Sequence, residues 1–268
     1  MLTLPSASTA PQSLAGDLAS ALDPVVFAIQ AGIEPEPWQA TFLRSSERER
    51  ILLCSRQAGK STITAALAMH QALYHAGSLI LLVAPAKRQS EELYKKVKAL
   101  YIGAGEPMTT ESSTKFEMEL TNGSRIVTIP DKEGTVRGYS DVALAIIDEA
   151  AWVSNDTYQT LRPMLAVSQG YLILLSTPHG KRGFFYHEWT SGGEGWHRTK
   201  ITAYESSLIS KDWLEGERLK IPANVFNQEY LCMFEDADTQ AFATADIERS
   251  QIRESVEEWT WLPRMTPR

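Results

Sequence analysis

Two short stretches of this chain carry residue types that can do chemistry together: Ser55-Arg56-Gln57-Ala58-Gly59-Lys60-Ser61-Thr62, and Asp148-Glu149 about 90 residues later. The first follows the apolar run Ile51-Leu52-Leu53-Cys54 and leads into a helical pattern. Strand, polar turn and helix N-terminus in that order make a phosphate-binding P-loop. Its backbone N–H groups, from Ser55 to Thr62, would wrap a β-phosphate. Lys60 would reach the β- and γ-phosphates, and the Ser61 hydroxyl would ligate Mg²⁺. Cys54 stands where such loops usually have their first glycine, so Gly-Lys-Ser alone is a weak signal. Asp148-Glu149 ends the apolar stretch Val142–Ile147. An aspartate there can hold Mg²⁺ together with Ser61, and a carboxylate beside it can orient and deprotonate a water. The plainer reading is an acidic start to a loop and helix; the loop upstream decides for the chemical one.

Other residues extend the constellation. Ser176-Thr177-Pro178 follow a further apolar run, Tyr171–Leu175. Cleaving a γ-phosphate needs positive charge beyond Lys60 and Mg²⁺, and an arginine finger worth ~10³–10⁵ in rate commonly supplies it. Arg56, inside the loop, and Arg137, on a Gly-flanked loop before Asp148, are the candidates, and spacing does not rank them. Upstream lies Trp38-Gln39; its amide suits an adenine edge, while a core tryptophan on an exposed helix explains it equally simply.

Positioning these groups requires a particular frame. Four apolar runs, at 51–54, 79–84, 142–147 and 171–175, alternate with helical patterns. Such alternation predicts a mainly parallel, doubly wound sheet flanked by helices, with ligands at the carboxyl ends of the strands. Asp23-Pro24 and Pro37 open short helices, and Gly32 stops the first. Asn122-Gly123 predicts a hairpin between 115–120 and 124–129. Pro163 should break the helix over 155–168. The helix from about Lys87 to Leu100 carries Lys87, Arg88, Lys95, Lys96 and Lys98, a basic cluster that suits either a DNA backbone or a solvated face. After Gly180 the pattern changes: a strand at 196–203, a helix capped by Ser210 and another begun by Pro222 suggest a smaller, mostly helical subdomain.

The 268 residues suffice for one large α/β domain with an appendage. A net charge of −7 excludes a uniformly basic coat for nucleic acid, though a local basic face remains compatible with DNA. Two cysteines make no disulfide framework or metal cluster, and the cytosol is the natural compartment. No apolar run is long enough to cross a bilayer. The Ser/Ala/Thr/Pro-rich start lacks a basic n-region and an apolar h-region, so residues 1–22 read as a disordered tail.

Taken together, the residues resemble the ATPase domain of the large terminase subunit of tailed bacteriophages. The resemblance runs from about Asp23 to Phe242. It rests on Pro-Trp-Gln at 37–39, the loop at 55–61, Ala-Pro-Ala-Lys-Arg-Gln at 84–89, Arg-Gly at 137–138, Ile-Ile-Asp-Glu-Ala-Ala at 146–151, Leu-Ser-Thr-Pro at 175–178, and Phe-Asn-Gln-Glu-Tyr with Phe-Glu-Asp at 226–230 and 234–236. Terminases resemble this chain in having an arginine inside the loop and a non-glycine at its first position.

The resemblance implies a RecA/ASCE-like P-loop NTPase that hydrolyses ATP with Mg²⁺ to drive double-stranded DNA into a procapsid. It gives Trp38-Gln39 to adenine, Arg56, Lys60 and Ser61 to phosphate and Mg²⁺, Asp148 to the metal and Glu149 to catalysis. It makes Ser176-Thr177-Pro178 a coupling motif and Arg137 a finger acting in trans. It implies a core over 23–180, a lid over 181–240, and a linker over 241–268 toward an absent nuclease domain. Asp246, Glu248, Glu254, Glu257 and Glu258 are then surface acids, not a nuclease site. The implied partners are a homo-oligomeric ring, typically a pentamer, a portal and the small subunit, in the host cytoplasm. A helicase-like translocase shares these elements but needs a second RecA-like domain. A regulatory nucleotide-binding module would not need Glu149, and a small-molecule kinase would lack Ser176-Thr177-Pro178.

Overall fold

The computed structural model describes residues 14–132 and 136–236. The chain runs α1 (Leu14–Leu22), α2 (Pro24–Gln30), α3 (Pro37–Arg44), β1 (Glu49–Cys54), α4 (Lys60–Tyr74), β2 (Leu79–Ala84), α5 (Lys87–Gly103), β3 (Thr110–Ser113), β4 (Glu117–Leu120) and β5 (Arg125–Pro130). It continues through β6 (Val142–Asp148), α6 (Asn155–Leu161), β7 (Tyr171–Ser176), α7 (Gly183–Ser191), β8 (Trp196–Ile201), α8 (Lys211–Arg218) and α9 (Ala223–Leu231). One-turn 3-10 helices follow β6 and α6.

One sheet organises the molecule, in the order β3-β4-β5-β2-β6-β7-β1-β8. The six strands from β5 to β8 are parallel; β3, β4 and β5 form an antiparallel edge. Strand side chains alternate between faces, and both faces are apolar. Leu52, Ile80, Leu82, Ile146, Ile173 and Leu175 pack with α4 and α5. Ile51, Leu53, Leu81, Val83, Ile147 and Leu174 pack beneath Tyr158, Leu161, Phe184 and Phe185. This is why the strands read as continuous apolar runs. Each fully buried Leu or Ile contributes about 1.5–3 kcal/mol, so the strand ends sit on a stiff platform. β7 lies between β1 and β6. The loop strand and the Asp148 strand are therefore separated by the one ending in Ser176, the arrangement of the additional-strand (ASCE) class of P-loop NTPases.

The helix signals work locally. The Asp23 carboxylate accepts from the Val25 N–H at 2.9 Å, and α6 stops at Leu161, two residues before Pro163. One expectation needs correcting, and two features go beyond the sequence reading. The last nine residues of the 1–22 tail form α1, because Ser20 is fully buried: its hydroxyl donates to Gln30 Oε1 at 2.6 Å and its carbonyl accepts from His70 Nε2 at 2.9 Å. Residues 1–13 lie outside the described residues. The polar strand β3 has no apolar signal and exists through its pairing with β4. The stretch after Gly180 does not leave the sheet at once: β8 pairs with β1 along its whole length, and residues up to Glu235 belong to one compact unit. Only α8 and α9 remain as a helical appendage. The linker at 241–268 and its five acids lie outside the described residues. No helix among the described residues is long and apolar enough to cross a membrane.

Candidate functional site

The carboxyl ends of β1, β6 and β7 converge on one point. After β1 the chain turns through Gln57 and Gly59, both at positive φ. A Cβ on Gly59 would come within 2.8 Å of the Gln39 amide nitrogen, so glycine is required there for space as well as conformation. Lys60 opens α4 and is buried, and its Nζ lies 3.2 Å from Glu149 Oε1. Glu149 adopts a left-handed conformation, φ 50° and ψ 46°, an uncommon and strained state for glutamate. Its own N–H donates to Asp148 Oδ1 at 2.9 Å, and its Oε2 accepts from the Ser176 hydroxyl at 3.3 Å. Lys60, Glu149 and Ser176 thus form a chain across three adjacent elements, with Asp148 buried beneath.

The electrostatics follow from that packing. Burial pushes the Asp148 carboxyl above its usual range, helped by the neighbouring Glu149 carboxylate and opposed by Lys60 and a hydrogen bond from Ser61. Burial pulls Lys60 down, but the charges of Glu149 and Asp148 outweigh it and hold the ammonium above its ordinary value. Lys60 is therefore a fixed cation at the mouth of the helix.

A cleft of about 740 Å³ opens over this chain. Of the residues singled out from sequence, Arg56, Gln57, Gly59, Lys60, Ser61, Thr62 and Glu149 line it. Arg56 is also tied to α9: its guanidinium pairs with the Glu229 carboxylate, and its N–H donates to the Glu229 carbonyl at 3.1 Å. Ser55, Ala58, Thr177 and Pro178 are buried and do not line the cleft, and the Ser55 hydroxyl is buried without a partner. Arg137 is exposed on its loop, outside the cleft lining.

Trp38 and Gln39, which the resemblance gives to adenine, also make contacts within the protein. Gln39 Oε1 accepts from the Glu36 N–H at 2.9 Å, completing a capping box on α3, and its Nε2 donates to the Ala58 carbonyl at 3.3 Å. Trp38 Nε1 donates to Glu36 Oε2 at 2.6 Å. One contact at each end of the amide lets Gln39 brace the P-loop from behind, with one N–H and one oxygen lone pair left over. Glu36-x-x-Gln39 is a capping-box spacing, and that signal was readable.

Sequence reasoning gave no site role to Gln89, Lys132 and Trp152, and read Lys96 only as part of a basic cluster; all four also line the cleft. Trp152, three residues past Glu149, stacks on His179 with centroids 3.4 Å apart. Gln89 and Lys96 sit two turns apart on α5, a spacing that puts both on one face.

Comparison with known proteins agrees with this architecture. The family model described as "Terminase large subunit, T4likevirus-type, N-terminal" matches residues 51–249. The large terminase subunit of Thermus phage G20c is 24% identical over 252 residues, covering 81% of this chain and 52% of that protein, and the one from Thermus virus P23-45 matches equally. The chain thus spans about half the length of the curated relatives it matches. Among solved structures, the large terminase ATPase domain of Thermus phage P74-26 superposes with a TM-score of 0.70 at 21% identity, covering 78% of this chain and 97% of that one. The large terminase of a thermophilic bacteriophage in complex with ADP gives 0.61 at 12% identity, covering 80% and 53%. With a family model spanning most of its length and the same sheet beneath it, the chain belongs to the terminase large subunit N-terminal family.

Proposed function

We propose that this chain is the ATPase of a genome-packaging motor: it hydrolyses ATP with Mg²⁺ to move double-stranded viral DNA. The observation that carries the reading is the Glu149 carboxylate, shared between Lys60 and Ser176 at the meeting of three strand ends. Relatives described as large terminase ATPase domains, and a large terminase in complex with ADP, support it.

Each residue then has a role. The loop from Gln57 to Thr62 receives the phosphates at the start of α4, where N–H groups and the helix dipole favour anions. Lys60 neutralises the β- and γ-phosphate oxygens. Ser61 and Asp148 would hold Mg²⁺. Their oxygens fit it: the Ser61 hydroxyl is near enough to the buried Asp148 carboxyl to oppose the upward push of burial on its pKa, and Mg²⁺ takes one or two carboxylates plus phosphate oxygens instead of a protein cage. When bound, the metal supplies charge neutralisation at the γ-phosphate. Glu149, oriented by Ser176 and its left-handed backbone, takes the proton of the attacking water. Ser176-Thr177-Pro178, the buried end of β7, relay the change at Glu149 to the body of the sheet.

Arg56 supplies charge in cis, and Arg137, exposed on its loop, reaches a neighbouring subunit's γ-phosphate. Residues 202–235, carrying α8 and α9, act as the lid on the 23–201 core. The assembled form is a homo-oligomeric ring, a pentamer, at a portal. It acts with the small subunit in the host cytoplasm.

Glu149→Gln tests the reading. ATP affinity stays within about threefold, while phosphate release falls by ~10²–10⁴, the worth of a positioned base. Full turnover in that variant would overturn the assignment.

A further inference from the structure

Resting on the nucleotide reading above, we propose that Lys96 and Lys132 form a second cationic wall that binds the terminal phosphate of the nucleoside triphosphate. On this account the site distinguishes triphosphate from diphosphate in cis, before any neighbour contributes.

Four cations line the cleft: Arg56, Lys60, Lys96 and Lys132. Two have protein counter-ions, Arg56 in Glu229 and Lys60 in Glu149. Among the described residues Lys96 and Lys132 have no ion-pair partner. Lys96 is half-buried and lines the cleft on the α5 side. An ammonium that faces a cleft and has no protein counter-ion attracts an anion bound there.

Both lysines stand on anchored backbone, and the Lys132 side chain is exposed at the cleft edge. Lys96 stands on α5, whose inner face is anchored by Leu93, Val97 and Leu100 and by the Tyr94 hydroxyl donating to the Glu117 carbonyl at 2.9 Å. Lys132 follows Asp131, whose carboxylate accepts from the Ser154 hydroxyl at 2.8 Å and the Ser154 N–H at 3.2 Å. The Asp131 N–H donates to the Ala84 carbonyl at 2.8 Å. That fixes Lys132 at the end of β2, beside the Pro85-Ala86 edge of the cleft. Both lysines rise from the elements following β2 and β5, across the cleft from the P-loop. The β-phosphate belongs to the loop and α4, so the group further out meets Lys96 and Lys132. This separates Lys96 from the rest of the basic cluster on α5: Lys95 pairs with Glu92 at 2.7 Å in solvent, whereas Lys96 faces the cleft.

The test compares Mg·ATPγS and Mg·ADP affinities by titration calorimetry for wild type, Lys96→Gln/Lys132→Gln and Lys96→Arg. The double variant should lose 10-fold or more in affinity for ATPγS and less than twofold for ADP, with Lys96→Arg close to wild type. Equal losses for both nucleotides, or none, would overturn the proposal while leaving the nucleotide site standing. Unchanged nucleotide affinities with weakened binding of a DNA duplex would assign these lysines to DNA and overturn it as well. A wild-type protein that binds neither nucleotide would overturn the underlying reading instead.

Discussion

At the scale of single residues, the chemistry depends on how Glu149 is held. Its carboxylate has one oxygen on Lys60 and the other on Ser176. Removing the Ser176 hydroxyl deletes one hydrogen bond to a charged acceptor, about 1.5 kcal/mol or one factor of ten. Ser176→Ala should therefore lower kcat about 10-fold with KM for ATP nearly unchanged, and Ser176→Thr should restore most of it. A rise in KM alone would place Ser176 in binding instead. Lys60, Ser61, Asp148 and Glu149 were legible in the sequence because each sits at a strand end or helix start that local pattern reveals. Lys96 and Lys132 were not, since their place beside the loop exists only once β2 and β5 pair. The bracing contacts of Gln39 were not legible, because a side-chain amide suits a base edge and a helix cap equally and only the folded chain brings it to the Ala58 carbonyl.

At the scale of elements, Glu36 joins the start of α3 to the segment before α8. It accepts from the Trp38 indole, from the Ser207 N–H at 2.6 Å, and from the Ser206 and Ser207 hydroxyls. Burial pushes its carboxyl up, but the hydrogen bonds from Ser207, Trp38 and Ser206 outweigh it, leaving the group below its ordinary value of 4.5. A carboxylate whose pKa is depressed by folding stabilises the fold above its unfolded pKa, and that stability is lost as pH falls through the folded value. Glu36→Gln should cost about 1 kcal/mol at neutral pH, allowing for partial exposure. It should also flatten the loss of Tm below pH 4.5; a variant with an unchanged acid limb would contradict the account. The parallel strands were readable because both their faces are buried. β8 was readable as a strand but not as the neighbour of β1, since its middle residues are polar on an outer strand. α1 was hidden in a Ser/Ala-rich stretch whose helix forms by docking Ser20 against Gln30 and His70.

At the scale of the whole molecule, the sheet divides labour. Its carboxyl edge carries the cleft, and the P-loop is tied through Arg56 to α9 at one side. Arg137 stands exposed outside the cleft lining. On the proposed reading Arg137 is a finger, worth ~10³–10⁵ in this class of enzyme, and its place outside its own subunit's cleft suits use in a neighbour's. The site would then be complete only between subunits, and ATPase activity per subunit should rise with protein concentration. A ring provides that completion for every member, because a head-to-tail interface that closes repeats the same pairing throughout.

The measurement that bears most directly on this account is ATP turnover in a mixture of Arg137→Ala and Glu149→Gln subunits, each inactive alone and shown to co-assemble. A shared interface lets an intact Glu149 from one subunit meet an intact Arg137 from the other. The account predicts that the mixture recovers a readily measured fraction of wild-type phosphate release. A co-assembled mixture as inactive as its components would contradict it.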